Sequence, residues 1–172
     1  MRIRDYRAED AAPLALLFYE TVHSVNLADY TPAEVQAWAP TVPDTAYWHG
    51  RLSQGIAVVA EDDTGPLGFC LLEPEGCVDL LYVRQDAVRR GVGSALLERI
   101  EALARGLGLT RLWTEASRTA KPFFARHGYA AIAEYRVERF GVTLTNFEME
   151  KELGGALPPR GPGGFDPKPD RP

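Results

Sequence analysis

The sequence is short of cysteine, of positive charge and of long apolar runs. Only Cys70 and Cys77 occur in 172 residues. Two cysteines make no disulfide framework, and neither C-x-x-C nor a Cys/His metal spacing is present. They read as buried thiols in a reduced compartment, and no metal site is expected. Nineteen Lys and Arg face 24 Asp and Glu, for a net charge of −5. No overall basic field recruits nucleic acid, so any anion site must be local. A run of about eighteen apolar residues is missing, which excludes a membrane-spanning helix. The opening "MRIRDYRAED" lacks an apolar signal region, so a cytoplasmic protein is expected.

What is present is an ordinary globular composition, 45% apolar and 25% charged. A chain of this length favours one domain. Residues 1–152 read as that domain. The last twenty residues, Leu153 to Pro172, hold six prolines and five glycines. They bury too little apolar surface to offset ordering entropy, and read as a flexible tail.

The elements alternate. Arg2 to Tyr6 is a strand candidate, and Asp10 is placed to cap a helix carrying Leu14, Leu17 and Phe18. "DYTPAEVQAWAP" sets Thr31 at an N-cap, Pro32 at the first helical position and Glu34 three after the cap, a capping box. A short helix with Trp48 and Leu52 follows. "IAVVAEDDTGPLGFCLLEPEGCVDLLYV" reads as a three-stranded meander with turns at Asp62 to Pro66 and Glu73 to Gly76. From Gly91 the period changes: Val92, Leu96, Ile100, Leu103 and Leu107 share one helical face, with Glu98, Glu101 and Arg105 opposite. "LTRLWTEAS" is a strand, "TAKPFFARHG" a short helix, and the segment after it a closing hairpin turning near Gly141. The order β-α-α-α-β-β-β-α-β-α-β-β is a mixed α/β domain.

"VRRGVGSALLERIEALARGLG", Val88 to Gly108, is a basic glycine turn that opens directly into a helix. Unpaired N–H groups at a helix start and the positive end of the macrodipole suit a phosphate. Glycine admits its oxygens close to the backbone, and Arg89 and Arg90 add charged donors. A plain strand-to-helix connection with solvated arginines explains a bare G-x-G equally well. The dinucleotide fingerprint needs Gly or Ala where Leu96 stands, and the P-loop Gly-Lys-Ser/Thr is absent. That disfavours a nicotinamide-dependent oxidoreductase.

"LYVRQDAVRRGVGSALL" resembles the Gln/Arg-x-x-Gly-x-Gly/Ala segment of the GNAT superfamily, the Gcn5-related N-acetyltransferases. "RIRDYRAED" is similar to the family's opening strand and turn, and "TAKPFFARHGY" to its late helix and turn. The resemblance covers residues 1–152 in the family's element order. It implies a GNAT-like fold: a central, mostly antiparallel twisted sheet of about six or seven strands, flanked by helices and splayed at its centre. It implies acetyl-CoA as co-substrate and an amine of a small molecule or protein as acceptor, with direct transfer.

The amides of Arg89, Arg90, Gly91, Val92, Gly93, Ser94 and Ala95 would then hold the pyrophosphate. The backbone of Leu81 and Val83 would pair with the pantetheine arm as an added strand, beside Tyr82. In the family the central strand bulges to open that cleft. Val88 stands where the motif has Gln or Arg, which weakens the side-chain share of the site; an overlapping frame starting at Arg90 also fits the motif. Thr119 stands where many relatives have Asn, and is expected to cap the late helix. The family's acidic Tyr position holds Phe124, next to Phe123.

Amide formation needs a base. By period two, Cys77, Asp79 and Leu81 share a face, and Asp79 is the carboxylate expected on the cleft side. A structural role for Asp79 is the alternative, and Glu73 and Glu115 are weaker candidates. Water or Tyr82 would serve the leaving thiolate, and His127 reads as a solvent-side turn residue. His23, Tyr30 and Trp38 are candidates for the acceptor pocket, although aromatic residues at helical spacing are more often core. A non-catalytic acyl-CoA-binding module on the same fold is the competing function. A homodimer stays open.

Overall fold

The structure is a computed structural model that describes residues 1–154. Twelve regular elements run in the expected order. They are β1 (Arg2–Asp5), α1 (Ala11–Val22), α2 (Pro32–Trp38), α3 (Thr45–Leu52), β2 (Ile56–Asp62), β3 (Gly65–Leu72) and β4 (Val78–Val83). After these come α4 (Val92–Gly106), β5 (Arg111–Ser117), α5 (Lys121–Arg126), β6 (Ala130–Arg139) and β7 (Val142–Glu152). Among the described residues no helix is long and apolar enough to cross a membrane.

The seven strands form two sheets, ordered β1-β2-β3-β4 and β5-β7-β6, with every ladder antiparallel. β2 and β3 are buried on both faces, which is why their sequences read as unbroken apolar runs. Val58, Ala60, Cys70 and Leu72 pack under Leu96, Leu97 and Ile100 of α4. Ala57, Val59, Phe69 and Leu71 pack against Leu14 and Phe18 of α1 and Trp48 of α3. Each large side chain fully buried in these two cores contributes about 1.5–3 kcal/mol.

Local signals hold where one turn of chain decides the geometry. Glu34 N–H donates to Thr31 Oγ1 at 3.2 Å and Thr31 N–H to Glu34 Oε2 at 2.8 Å, closing the capping box. Four expectations are corrected. Asp10 does not cap α1. Its carboxylate turns back to accept from Arg7 N–H at 2.7 Å and from both ends of the Arg4 guanidinium at 2.7 and 2.8 Å. Glu101 lies on the polar side of α4 by period, yet it is buried, because Lys151 of β7 donates to both its oxygens at 2.7 and 2.8 Å. Leu107 lies beyond the end of α4 and is exposed. At the C-terminal end Leu153 is buried, with its N–H donating to Thr110 O at 2.8 Å, so it belongs to the domain rather than the tail. The rest of the expected tail lies outside the described residues, apart from Gly154.

Candidate active site

The two sheets meet along β4 and β5 and barely pair. One isolated bridge joins Cys77 to Trp113, Trp113 N–H donates to Gly76 O at 3.0 Å, and Thr114 Oγ1 donates to Val78 O at 2.8 Å. Beyond Val78 the strands part, and a cleft of about 1260 Å³ opens between them. Its walls include Asp79 to Val83 on one arm and Thr114 to Ser117 on the other.

A β-bulge sets what β4 shows to that cleft. Leu71 pairs with Leu80 while Leu72 pairs with Val78, so Asp79 is the extra residue. The bulge reverses the alternation that period two predicts. Asp79 therefore does not share a face with Leu81. Leu81 and Val83 pack toward the core under α4, and Leu80 and Tyr82 toward the core under α1 and α3. Asp79 turns toward α3, where its Oδ2 accepts from Arg51 Nε at 3.2 Å and Nη2 at 3.0 Å. Both side chains are under a tenth exposed. One oxygen of Asp79, the Cys77 thiol and an oxygen of the buried Glu73 lie within 4.8 Å of one another.

The backbone of β4 fits an added strand. Thr21 Oγ1 donates to Val83 O at 3.3 Å, so that carbonyl points away from β3, whereas Arg84 N–H donates back to Leu67 O at 2.8 Å. In a strand the N–H and C=O of one residue point to the same side, and the direction repeats every second residue. Val83 and Leu81 therefore present both groups to the open edge.

The glycine turn stands at one end of this edge. Gly91 adopts φ +83°, the left-handed region that glycine enters without strain, and Arg89 is bent to φ +61° before it. α4 starts at once, and its first intrahelical bond runs from Ala95 N–H to Gly91 O at 3.0 Å. That bond removes Ala95 from the donors. The N–H groups of Val92, Gly93 and Ser94 have no acceptor within the helix and carry its positive end. Gly93 is a close approach: a Cβ there would stand 3.2 Å from Phe123 Cε2. Val88, Arg89, Gly91, Gly93 and Ser94 line the cleft, whereas the Val92 side chain is core and Arg90 is exposed, its Nη1 donating to Asp86 O at 3.4 Å.

α5 closes the opposite wall. Thr119 lines the cleft but does not cap α5; the Ser117 hydroxyl accepts from Ala120 N–H at 3.1 Å instead. Thr119 Oγ1 is buried without a hydrogen-bond partner among the described residues, a donor and acceptor left for whatever fills the cleft. Phe124 is 2% exposed and packs on Tyr129 and Phe123, with one side on the cleft wall. His127 is not a solvent-side residue. It is half-buried on the cleft wall, tilted by 37° against Phe123 with ring centroids 4.3 Å apart, and its Nε2 lies 3.0 Å from Ser94 Oγ. The signal that could have found it is its place one helical turn after Phe123.

Tyr82 lines the cleft between Phe18 and Phe69, and burial pushes its phenol well above the ordinary range against the pull of the Arg51 guanidinium. It therefore keeps its proton at neutral pH. Trp38 and Tyr30 line the cleft in edge contact at 5.3 Å. The Tyr30 hydroxyl also pins the wall: it accepts from Arg118 N–H at 2.7 Å and donates to Thr145 O at 3.4 Å. His23 is turned away from the cleft, its Nε2–H held by Ala39 O at 2.8 Å and its ring on Tyr19. Sequence reasoning missed Arg51, Arg139 and Asn146 on the cleft walls, because α3 and the closing hairpin reach the site only through tertiary packing.

Comparison with known proteins agrees with this geometry. Residues 26–152 match the family model described as an acetyltransferase (GNAT) domain. The uncharacterized N-acetyltransferase YafP of Escherichia coli (strain K12) is 34% identical over 149 residues, which is 87% of this chain and 94% of that protein. A GCN5-related N-acetyltransferase structure from Rhodopseudomonas palustris superposes with a TM-score of 0.83 at 35% identity, over 88% of this chain and 94% of that one. YncA from Salmonella typhimurium, solved with its cofactor acetyl-CoA, shares the fold at a TM-score of 0.70 and 19% identity, over 93% of this chain and 98% of that one. On its motif, its parted sheets and these relatives, the chain belongs to the GNAT superfamily of acetyltransferases.

Proposed function

We propose that this protein transfers the acetyl group of acetyl-CoA directly to a primary amine of a small molecule or a peptide. One observation carries the reading: the open edge of β4 runs straight to the N-terminus of α4 inside a single cleft. A pantetheine arm needs the first and a pyrophosphate the second. The residues fit the donor. Leu81 and Val83 offer backbone pairing, Thr119 an unpartnered hydroxyl, and Val92, Gly93 and Ser94 their N–H groups. Acetyl-CoA supplies a thioester whose carbonyl accepts the amine.

The chain's part is to bind, orient and move protons. The Leu81 N–H, on the open edge, suits the developing oxyanion. Asp79 takes the amine proton, directly or through water, while the Arg51 fork fixes its orientation. Water or Tyr82, which holds its proton, serves the departing sulfur, since Phe124 has no hydroxyl. The acceptor enters past Tyr30 and Trp38. The domain doing this spans residues 1–153, and the Pro/Gly-rich segment beyond is a tail dispensable for it.

The test is release of free thiol from acetyl-CoA against a panel of amines. Acetylated product with any amine supports the reading. Donor binding without turnover across the panel would leave the second reading, a non-catalytic acyl-CoA-binding module, which the Phe at the family's Tyr position favours.

A further inference from the structure

The His127 ring holds a fixed tautomer. Nδ1 lies 2.9 Å from Phe123 O, and a carbonyl can only accept, so Nδ1 carries a proton. In the neutral ring Nε2 is then an acceptor, and the Ser94 hydroxyl 3.0 Å away donates to it. Ser94 is the third residue of α4, among the N–H groups that suit a phosphate. With its proton turned to His127, Ser94 Oγ shows the cleft only lone pairs. A phosphate oxygen arriving there would meet another acceptor.

The geometry points to a proton-coupled phosphate site: binding of the CoA pyrophosphate is accompanied by uptake of one solvent proton at His127 Nε2. This rests on the donor reading given above. With Nε2 protonated, the bond reverses. Nε2–H donates to Ser94 Oγ, and the Ser94 hydroxyl rotates to donate to the phosphate. Nδ1–H stays on Phe123 O throughout, so the ring does not move. One added proton converts an acceptor against the phosphate into a donor, and places a positive charge behind it.

Charged residues lie on the elements next to the ring. Arg89 of the turn before α4 and Arg126 of α5 line the same cleft as the ring, while Arg90 and Glu98 are exposed on their own elements. From β7, the Lys151 stem comes within 3.6 Å of a Cβ built on Gly128, and its ammonium is paired with Glu101. The two negative charges of a pyrophosphate at Ser94 would favour the charged form of the ring behind it. By linkage, affinity for CoA weakens as pH rises, by up to about tenfold per pH unit once the free ring is neutral.

The experiment is calorimetry of CoA binding at about pH 8, where an ordinary imidazole is neutral, in two buffers of different ionisation enthalpy. 3′-Dephospho-CoA is run in parallel to remove the monoester phosphate, and pantetheine to remove the pyrophosphate. Net proton uptake is expected with CoA and 3′-dephospho-CoA and none with pantetheine. In His127→Gln and Ser94→Ala uptake should fall to near zero, with CoA affinity reduced about three- to tenfold and pantetheine affinity unchanged. Nitrogen NMR of the wild-type imidazoles needs no variant and is assignable among three histidines. It should show a neutral Nδ1–H ring for His127 alone and a doubly protonated ring with CoA. A ring that stays neutral in the complex, or equal uptake in wild type and His127→Gln, overturns the inference. CoA binding without proton uptake would sink this inference alone, whereas no CoA binding by the wild type would sink the donor reading with it.

Discussion

Oδ2 of Asp79 receives both Nε and Nη2 of Arg51, at 3.2 and 3.0 Å, across the gap between the bulge in β4 and the last turn of α3. A guanidinium fork on one carboxylate oxygen fixes that carboxylate in place. The pair is nearly buried, so losing one member removes the charge that offsets the burial of the other. Arg51→Met should cost about 3–5 kcal/mol in urea melts. Arg51→Met with Asp79→Asn should recover much of that loss. A single variant as stable as wild type would show that water replaces the pair freely.

Asp79→Asn alone separates the chemical role from the structural one. Turnover should drop about 10²- to 10⁴-fold, as expected for a general base, with donor affinity changed far less. Steady-state rates across pH, set beside calorimetry for acetyl-CoA, read both. A near-normal rate at every pH would make Asp79 a purely structural partner of Arg51.

Gly93→Glu tests the pyrophosphate assignment. A Cβ at that position would press on the Phe123 ring at 3.2 Å, and the added carboxylate brings negative charge to the helix start. Affinity for acetyl-CoA should fall at least tenfold, while the melting temperature shifts little because Phe123 can give way at its far edge. Unchanged affinity would remove the phosphate from this turn.

Phe124→Tyr probes the missing acid. The ring is 2% exposed, yet one side lines the cleft, so the new hydroxyl can reach the opening at a cost of no more than about 1–3 kcal/mol. Turnover should rise and gain an alkaline limb near the phenol pKa. An unmoved rate would mean that thiolate departure does not limit the reaction.

Acid stability should report the Arg4 cluster. The Arg4 hydrogen bond, then that of Arg2, lowers Glu61 to about 2. Burial by itself raises Asp10, but Arg4 and the Arg7 amide outweigh it and leave Asp10 below its ordinary value. Carboxylates depressed in the folded state stabilise it fully above their unfolded pKa, about 3.9–4.3. That stabilisation is lost as pH falls through the folded value. Stability should therefore decline from about pH 4.3 toward about 2. Arg4→Gln should lower the plateau at neutral pH and flatten this decline. Equal slopes in wild type and variant would show that the cluster carries no proton linkage.

The sequence by itself determined the elements and the glycine turn at one end of the cleft. Capping at Thr31 and the glycine turn into α4 are decided within a few residues, by which backbone groups lack partners and which φ values a residue tolerates. Apolar periodicity placed the strands because burial is repeated at the spacing of the backbone. The side that β4 turns to the cleft was not legible. The bulge at Asp79 arises from how β3 and β4 pair, and one extra residue inverts every later side chain. Tertiary structure alone brought Arg51 to Asp79 and Ser94 to His127, residues 28 and 33 positions apart. It also drew Glu101 beneath Lys151. Sequence periodicity records which way a side chain leaves its own backbone, and only packing between elements decides what it meets.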